Sequence, residues 1–169
     1  MSFIGLPLRL EMLATRKATW RVMSAYTYTG DRFSVAVPAA WVTDLTSIPW
    51  WIPFLRREGN HTPASVVHDV VYAKGTVTKD GQAEEVDRLF ADKEVYFRAM
   101  EVRNTPPLRR NVIYWGVRLG GWYSWGRYRR KQRREEVEGK VAIEIGMLPR
   151  EYEQARSDAE GDKEGSTDE

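Results

Sequence analysis

Residues 62–75, Thr62-Pro63-Ala64-Ser65-Val66-Val67-His68-Asp69-Val70-Val71-Tyr72-Ala73-Lys74-Gly75, decide how the chain is divided. Thr62 can cap a helix. Pro63 fits the first helical position, where its missing N–H is no loss. Val66, Val67, Val70 and Val71 follow the three-to-four spacing of one helical face, and Gly75 supplies a stop. The chain before this stretch reads differently. In residues 8–29, Leu8, Leu10 and Met12 alternate with Arg9, Glu11 and Leu13, while Trp20, Val22, Ser24 and Tyr26 share one parity. That partial alternation, rich in β-branched and aromatic side chains, predicts two strands. Thr29-Gly30-Asp31 marks a turn, and residues 33–37 form a short strand ended by Pro38.

Between strands and helix, Pro38, Pro49 and Pro53 break residues 38–60 into irregular chain carrying Trp41, Trp50, Trp51 and Phe54. Beyond the helix, residues 74–81 (KGTVTKDG) read as a flexible turn. Asp80 then caps a second helix whose uneven apolar face is Ala83, Val86, Phe90, Phe97 and Met100. Asn104 to Pro107 interrupt, and a third helix follows over residues 108–134. The expected fold is α+β: a small antiparallel sheet, three helices and a charged C-terminal extension. Residues 1–126 form the expected domain, 127–156 a basic-then-acidic helical extension, and 157–169 (SDAEGDKEGSTDE) a disordered acidic tail.

The composition narrows the functional classes. A chain of 169 residues with 42% hydrophobic residues can bury a core. The absence of cysteine excludes disulfides, thiolate metal sites and a cysteine nucleophile. No apolar run approaches the length of a transmembrane helix. The start, MSFIGLPLRLEML, has no basic region ahead of its apolar residues and reads as part of the fold, not as a signal peptide. The net charge of +2 is a cancellation. Residues 1–101 carry 12 basic and 12 acidic groups, 102–134 carry 10 basic and none acidic, and 135–169 carry 4 basic and 12 acidic.

His68, adjacent to Asp69, can be a ligand or a general base, because a neutral imidazole suits both near pH 7. On a helix the two side chains point about 100° apart. Asp44 lies in Thr43-Asp44-Leu45-Thr46-Ser47-Ile48-Pro49, where a carboxylate either closes an Asx-type turn or projects toward a metal. Asp87 and Asp92 are the acidic candidates on the second helix. Asp44, His68, Asp69 and Asp87 are thus the candidate catalytic residues. Asp44, His68 and Asp87 would be the ligands of a divalent metal ion, as a hard oxygen and nitrogen set. The spacing matches no specific metal motif, and no nucleophile elbow or phosphate loop is present. The blander reading is a hydrogen-bonded core histidine with Asp69 in a salt bridge. His61, after Gly59-Asn60, reads as an exposed loop residue.

The third helix has an unusual surface. Trp115, Trp122 and Trp125, spaced by seven and three, share one face. Gly116, Gly120 and Gly121 either admit a close helix approach or break the helix near 120. Arg127, Arg129, Arg130, Lys131, Arg133 and Arg134 follow at once. The region reads as a core helix with a solvated basic extension, as an element lying on an anionic membrane surface, or as a nucleic-acid contact.

The motifs together resemble a bacteriophage- and prophage-associated family known only as a domain of unknown function. The similarity rests on Thr43-Asp44-Leu45-Thr46-Ser47-Ile48-Pro49, on Ala64 to Tyr72 with its His68-Asp69 pair, on Asp87-Arg88-Leu89-Phe90 and on Val117-Arg118-Leu119-Gly120. It covers residues 33–121. Trp50 stands where the family pattern has Arg, and Val86 where it has Ala. The resemblance implies a phage or prophage origin and groups Asp44, His68, Asp69 and Asp87 at one site. It implies no particular activity.

Two functions follow. The first is a virion, assembly or host-acting phage component, placed in the host cytoplasm or the virion. Its partners would be phage structural proteins or a host factor, with an anionic membrane or nucleic acid reached through residues 127–134. The second is a small metal-dependent hydrolase using Asp44, His68, Asp69 and Asp87, with the cation activating water. The acidic tail would also mask the basic arm if the two blocks meet within a Debye length of about 8 Å.

Overall fold

A computed structural model of the chain describes residues 1–13, 19–43, 45, 59–144 and 154. The architecture is α+β, and every strand pairing in it is antiparallel. The strands β1 (Ser2–Ile4), β4 (Tyr26–Thr29), β5 (Ser34–Val37), β7 (Thr76–Lys79) and β8 (Gln82–Glu85) form one sheet in the order β1-β4-β5-β7-β8. The strands β2 (Leu10–Leu13), β3 (Thr19–Val22) and β6 (Val42–Thr43) form a second sheet in the order β2-β3-β6. The single small sheet expected from sequence is therefore accompanied by another. Residues 8–29 hold three strands, because the chain breaks between Val22 and Tyr26 and changes sheets there.

Alternation places the core. Tyr26 and Tyr28 on β4 and Val35 and Val37 on β5 are buried, while the residues between them face outward or half outward. Tyr26 pairs with Val37 and Tyr28 with Val35, so the four side chains meet on one face. Against that face lies α1 (Thr62–Lys74), contributing Val66, Val67, Val70 and Val71. The Tyr26 hydroxyl donates to the Pro63 carbonyl at 2.9 Å and ties the sheet to the start of the helix. Gly75 ends α1 in the left-handed conformation, as expected, with its N–H on the Val71 carbonyl. Thr62 does not cap with its side chain. His61 holds the cap position, and the Thr62 hydroxyl accepts from the Gly59 N–H at 2.9 Å.

Residues 74–81 are not a flexible turn. They form β7 and the turn to β8, in register Thr76 with Glu85 and Lys79 with Gln82. Asp80 and Gly81 both have positive φ, the requirement of a two-residue hairpin turn whose twist matches its strands. Asp80 therefore serves the hairpin and caps no helix.

Asp87 is the cap. Its carboxylate accepts from the Phe90 N–H at 2.7 Å and opens α2 (Arg88–Phe90). A π-helical segment (Ala91–Phe97) and α3 (Arg98–Val102) continue α2 without interruption, so the second helix is one composite rod. The third is α4 (Pro107–Glu144), which runs through Gly120 and Gly121 unbroken.

The chain divides into two units, Met1–Tyr128 and Arg129–Glu169. In the second, Arg130, Lys131, Arg133 and Arg134 are exposed. Lys131 lies 3.8 Å from Glu135 one turn on, the kind of surface pair that contributes little. Most of residues 145–169, the expected acidic tail included, lie outside the described residues, as do Asp44, Trp50 and Trp51. Among the described residues no helix is long and apolar enough to cross a membrane.

Candidate functional site

The three helices of the first unit meet at Asp92. This residue lies in the π-helical segment and is wholly buried. Its Oδ1 faces His68 Nε2 at 2.9 Å and accepts from the Tyr72 hydroxyl at 2.6 Å. His68 and Tyr72 stand one turn apart on α1 and so present the same face. Oδ2 accepts from Arg118 Nη1 of α4 at 2.7 Å. Arg88 stands 3.8 Å from Oδ2, and its Nη1 donates to the Arg118 carbonyl at 3.0 Å. Each carboxylate oxygen thus has a strong donor, and each donor comes from a neighbouring element.

The electrostatics follow from that arrangement. Burial is the largest single influence and pushes the Asp92 carboxyl upward. Hydrogen bonds from His68, Tyr72 and Arg118, together with the charge of His68, outweigh it and hold the group below the usual carboxylate range. An ionised carboxylate only accepts, so His68 Nε2 carries the shared proton. Burial first, then the charge and hydrogen bond of Asp92, push the Tyr72 phenol upward, so it stays a donor. The His68 ring stacks on Tyr96 at 4.5 Å and 24° and lies 4.1 Å from Tyr72. Its Nδ1 is buried without a hydrogen-bond partner among the described residues.

The close approach of α4 depends on a glycine. A Cβ on Gly121 would lie 2.5 Å from the Tyr72 hydroxyl, the atom that reaches Asp92. Gly120 has open space around it. Trp125 packs edge-on against Tyr72 at 5.0 Å and belongs to this contact, not to an exposed face.

The sequence candidates are distributed differently. His68 is at the centre. Asp69 points to the other side of α1 and accepts from the Thr43 hydroxyl at the end of β6, which in turn accepts from the Leu45 N–H at 3.2 Å. Asp87 is engaged in its cap. Asp44 lies outside the described residues. Asp92, Tyr72 and Arg118 complete the cluster, and of these three the sequence marks only Asp92, as the acidic candidate beside Asp87 on the second helix. Among the described residues no three His, Asp or Glu side chains gather as a metal-holding group.

His61 corrects another expectation, since its side chain is fully buried. Its backbone caps α1, which turns the imidazole inward, and neither ring nitrogen has a hydrogen-bond partner among the described residues. Burial first, and the positive charge of Arg109 second, pull its pKa down to about 4.

The surface of α4 away from the cluster is apolar. Leu108, Trp115, Leu119, Trp122 and Tyr123 are between 58% and 79% exposed. At 100° per residue they fall within an arc of about 100°, across the helix from the buried Ile113 and Val117. Of the three tryptophans grouped by spacing, Trp115 and Trp122 lie on this stripe. Arg127 and Tyr128 follow, both exposed.

Residues 20–117 match a family described as "Protein of unknown function (DUF1353)". The matched span takes in α1, the π-helical segment and most of the Asp92 contacts. No curated protein and no solved structure matches the chain.

Proposed function

The chain belongs to the DUF1353 family of proteins of unknown function, and from that premise we propose that it is a bacteriophage or prophage component that works by docking. It would be a virion, assembly or host-acting part, placed in the virion or the host cytoplasm, with phage structural proteins, a host factor, an anionic membrane surface or nucleic acid as the partner. The phage setting draws its support from the Thr43–Pro49 and His68-Asp69 motifs. The docking role rests on one observation: five large apolar side chains stand exposed along one side of α4. Exposed single hydrophobics are ordinary, but a contiguous row marks an interaction surface.

In this reading the Asp92 cluster holds the docking helix in place. Both carboxylate oxygens are occupied, the carboxylate and the imidazole are shielded from solvent, and Arg118 links the cluster directly to α4. A buried ionic network in which both carboxylate oxygens are paired fixes one arrangement of the elements it joins.

The test is complementation of a phage lacking this coding sequence. The full chain should restore plaque formation, and Trp115→Ser/Leu119→Ser/Trp122→Ser should not, although it folds. Restoration by the triple variant at the wild-type level would contradict the docking role.

A further inference from the structure

We propose that the α4 stripe lies on an anionic lipid surface. The proposal rests on the docking reading and names its partner. The stripe from Leu108 to Tyr123 extends about 22 Å along the helix, enough to lie flat in a bilayer interface. Its chemistry suits that layer. Trp115, Trp122 and Tyr123 each combine an apolar ring with one polar hydrogen, the combination enriched at headgroup depth. Leu108 and Leu119 bring aliphatic surface that reaches the acyl boundary.

Charge selects the lipid. From residue 102 to residue 134 the chain has 10 basic groups and no acidic one. Some of these have internal tasks, with Arg118 on Asp92 and Arg110 on Glu101 and the Phe97 ring. Arg127 is exposed within the first unit, and the sequence continues directly into Arg129-Arg130-Lys131 and Arg133-Arg134. Basic groups that follow interfacial aromatics in the sequence complement phosphatidylglycerol headgroups. A nucleic acid would satisfy the charge and stack on the tryptophans, but it offers nothing to Leu108 and Leu119. A protein partner would cover the apolar row, but nothing on this row favours it over lipid, whereas the exposed Arg127 just beyond the row suits an anionic surface.

The experiment is co-sedimentation of the full chain with phosphatidylcholine vesicles with and without phosphatidylglycerol, at low and high salt. The chain should sediment with the mixed vesicles and do so poorly with phosphatidylcholine alone. Its tryptophan emission should shift to the blue. Trp115→Ser/Leu119→Ser/Trp122→Ser should lose about a hundred-fold in vesicle affinity, with an unchanged circular-dichroism melt. No sedimentation with mixed vesicles at low salt would overturn the proposal. So would equal binding by the triple variant, or tryptophan-dependent binding to duplex DNA stronger than to vesicles. The two readings fail separately. Absent vesicle binding with failed complementation by the triple variant overturns the lipid partner and leaves docking. Vesicle binding with full complementation by that variant overturns docking as the function and supports the lipid contact.

Discussion

Nε2 of His68 stands 2.9 Å from Oδ1 of Asp92, 24 residues further along the chain, and neither side chain reaches solvent. The pair joins α1 to the π-helical segment, and Arg118 extends the connection to α4. An uncompensated buried charge is severely destabilising, so the consequences of removing any member differ from those at the other acidic candidate.

Asp92→Ala leaves Arg118 and the His68 N–H facing an apolar gap. It should cost about 3–5 kcal/mol, a large part of the stability of a domain this size. Asp87→Ala removes one helix cap and should cost about 1 kcal/mol. Urea unfolding of the two variants checks the order. Equal losses would contradict the placement of Asp92 at the centre.

The two neighbouring glycines of α4 should respond in opposite directions. Gly120→Ala meets no atom of the described residues within 4 Å and should stabilise by up to about 1 kcal/mol. Gly121→Ala meets the Tyr72 hydroxyl, so it should destabilise by about 1–3 kcal/mol despite the same gain in helix propensity. Thermal melts of both decide the matter. Stabilisation by both would show that α4 does not approach Tyr72 closely.

Acid should reveal His61. The unfolded chain takes up a proton near pH 6.5 and the folded chain near 4, so unfolding is accompanied by proton uptake between those values. Stability is complete above the upper value and falls as the pH drops toward the lower one, by about 3 kcal/mol from this group. His61→Leu should flatten that part of the curve, measured as unfolding free energy against pH. An unchanged slope would contradict the burial of a neutral imidazole. The Asp92 contribution is lost only at lower pH, below its unfolded value of 3.8.

Substitutions on the exposed stripe should leave the fold alone. Trp115→Ser and Trp122→Ser remove side chains that are mostly in solvent and should change stability by no more than about 0.5 kcal/mol each. A larger loss in urea unfolding would mean that the stripe packs against the protein itself.

Much of this architecture was legible in the sequence. Pro63, four valines and Gly75 specify α1, because φ restriction, spacing and the glycine stop agree there, although the cap falls on His61 and not on Thr62. Alternation specified β5, while the shared parity of Trp20, Val22, Ser24 and Tyr26 ran β3 and β4 together across the break between the two sheets. The β7–β8 hairpin was missed because Gln82-Ala83-Glu84-Glu85 is exposed on both faces and has no apolar alternation to read. The Asp80-Gly81 pair was its one signal. His61 read as exposed because a Gly-Asn turn precedes it, whereas position at the start of a buried helix decides its burial.

The site was legible at His68 and less so beyond it. In the π-helical segment the Arg98 N–H reaches back five residues to the Lys93 carbonyl. Helical periodicity of 3.6 therefore misjudges which side chains face inward there. Asp87 and Asp92 could not be separated on that basis. Arg118 stood out in an apolar stretch, but its carboxylate partner lies on another helix and leaves no local pattern.

The central proposal is that the His68–Asp92 pair serves to hold α4 in place while the exposed face of α4 makes the functional contact. His68→Gln tests it most directly, because a carboxamide N–H can replace Nε2–H toward Asp92 but cannot serve as an imidazole base. Plaque formation by the deleted phage supplied with His68→Gln is the measurement. Near-wild-type plaque numbers are expected from a variant that melts close to the parent. A folded His68→Gln protein that gives no plaques would contradict it.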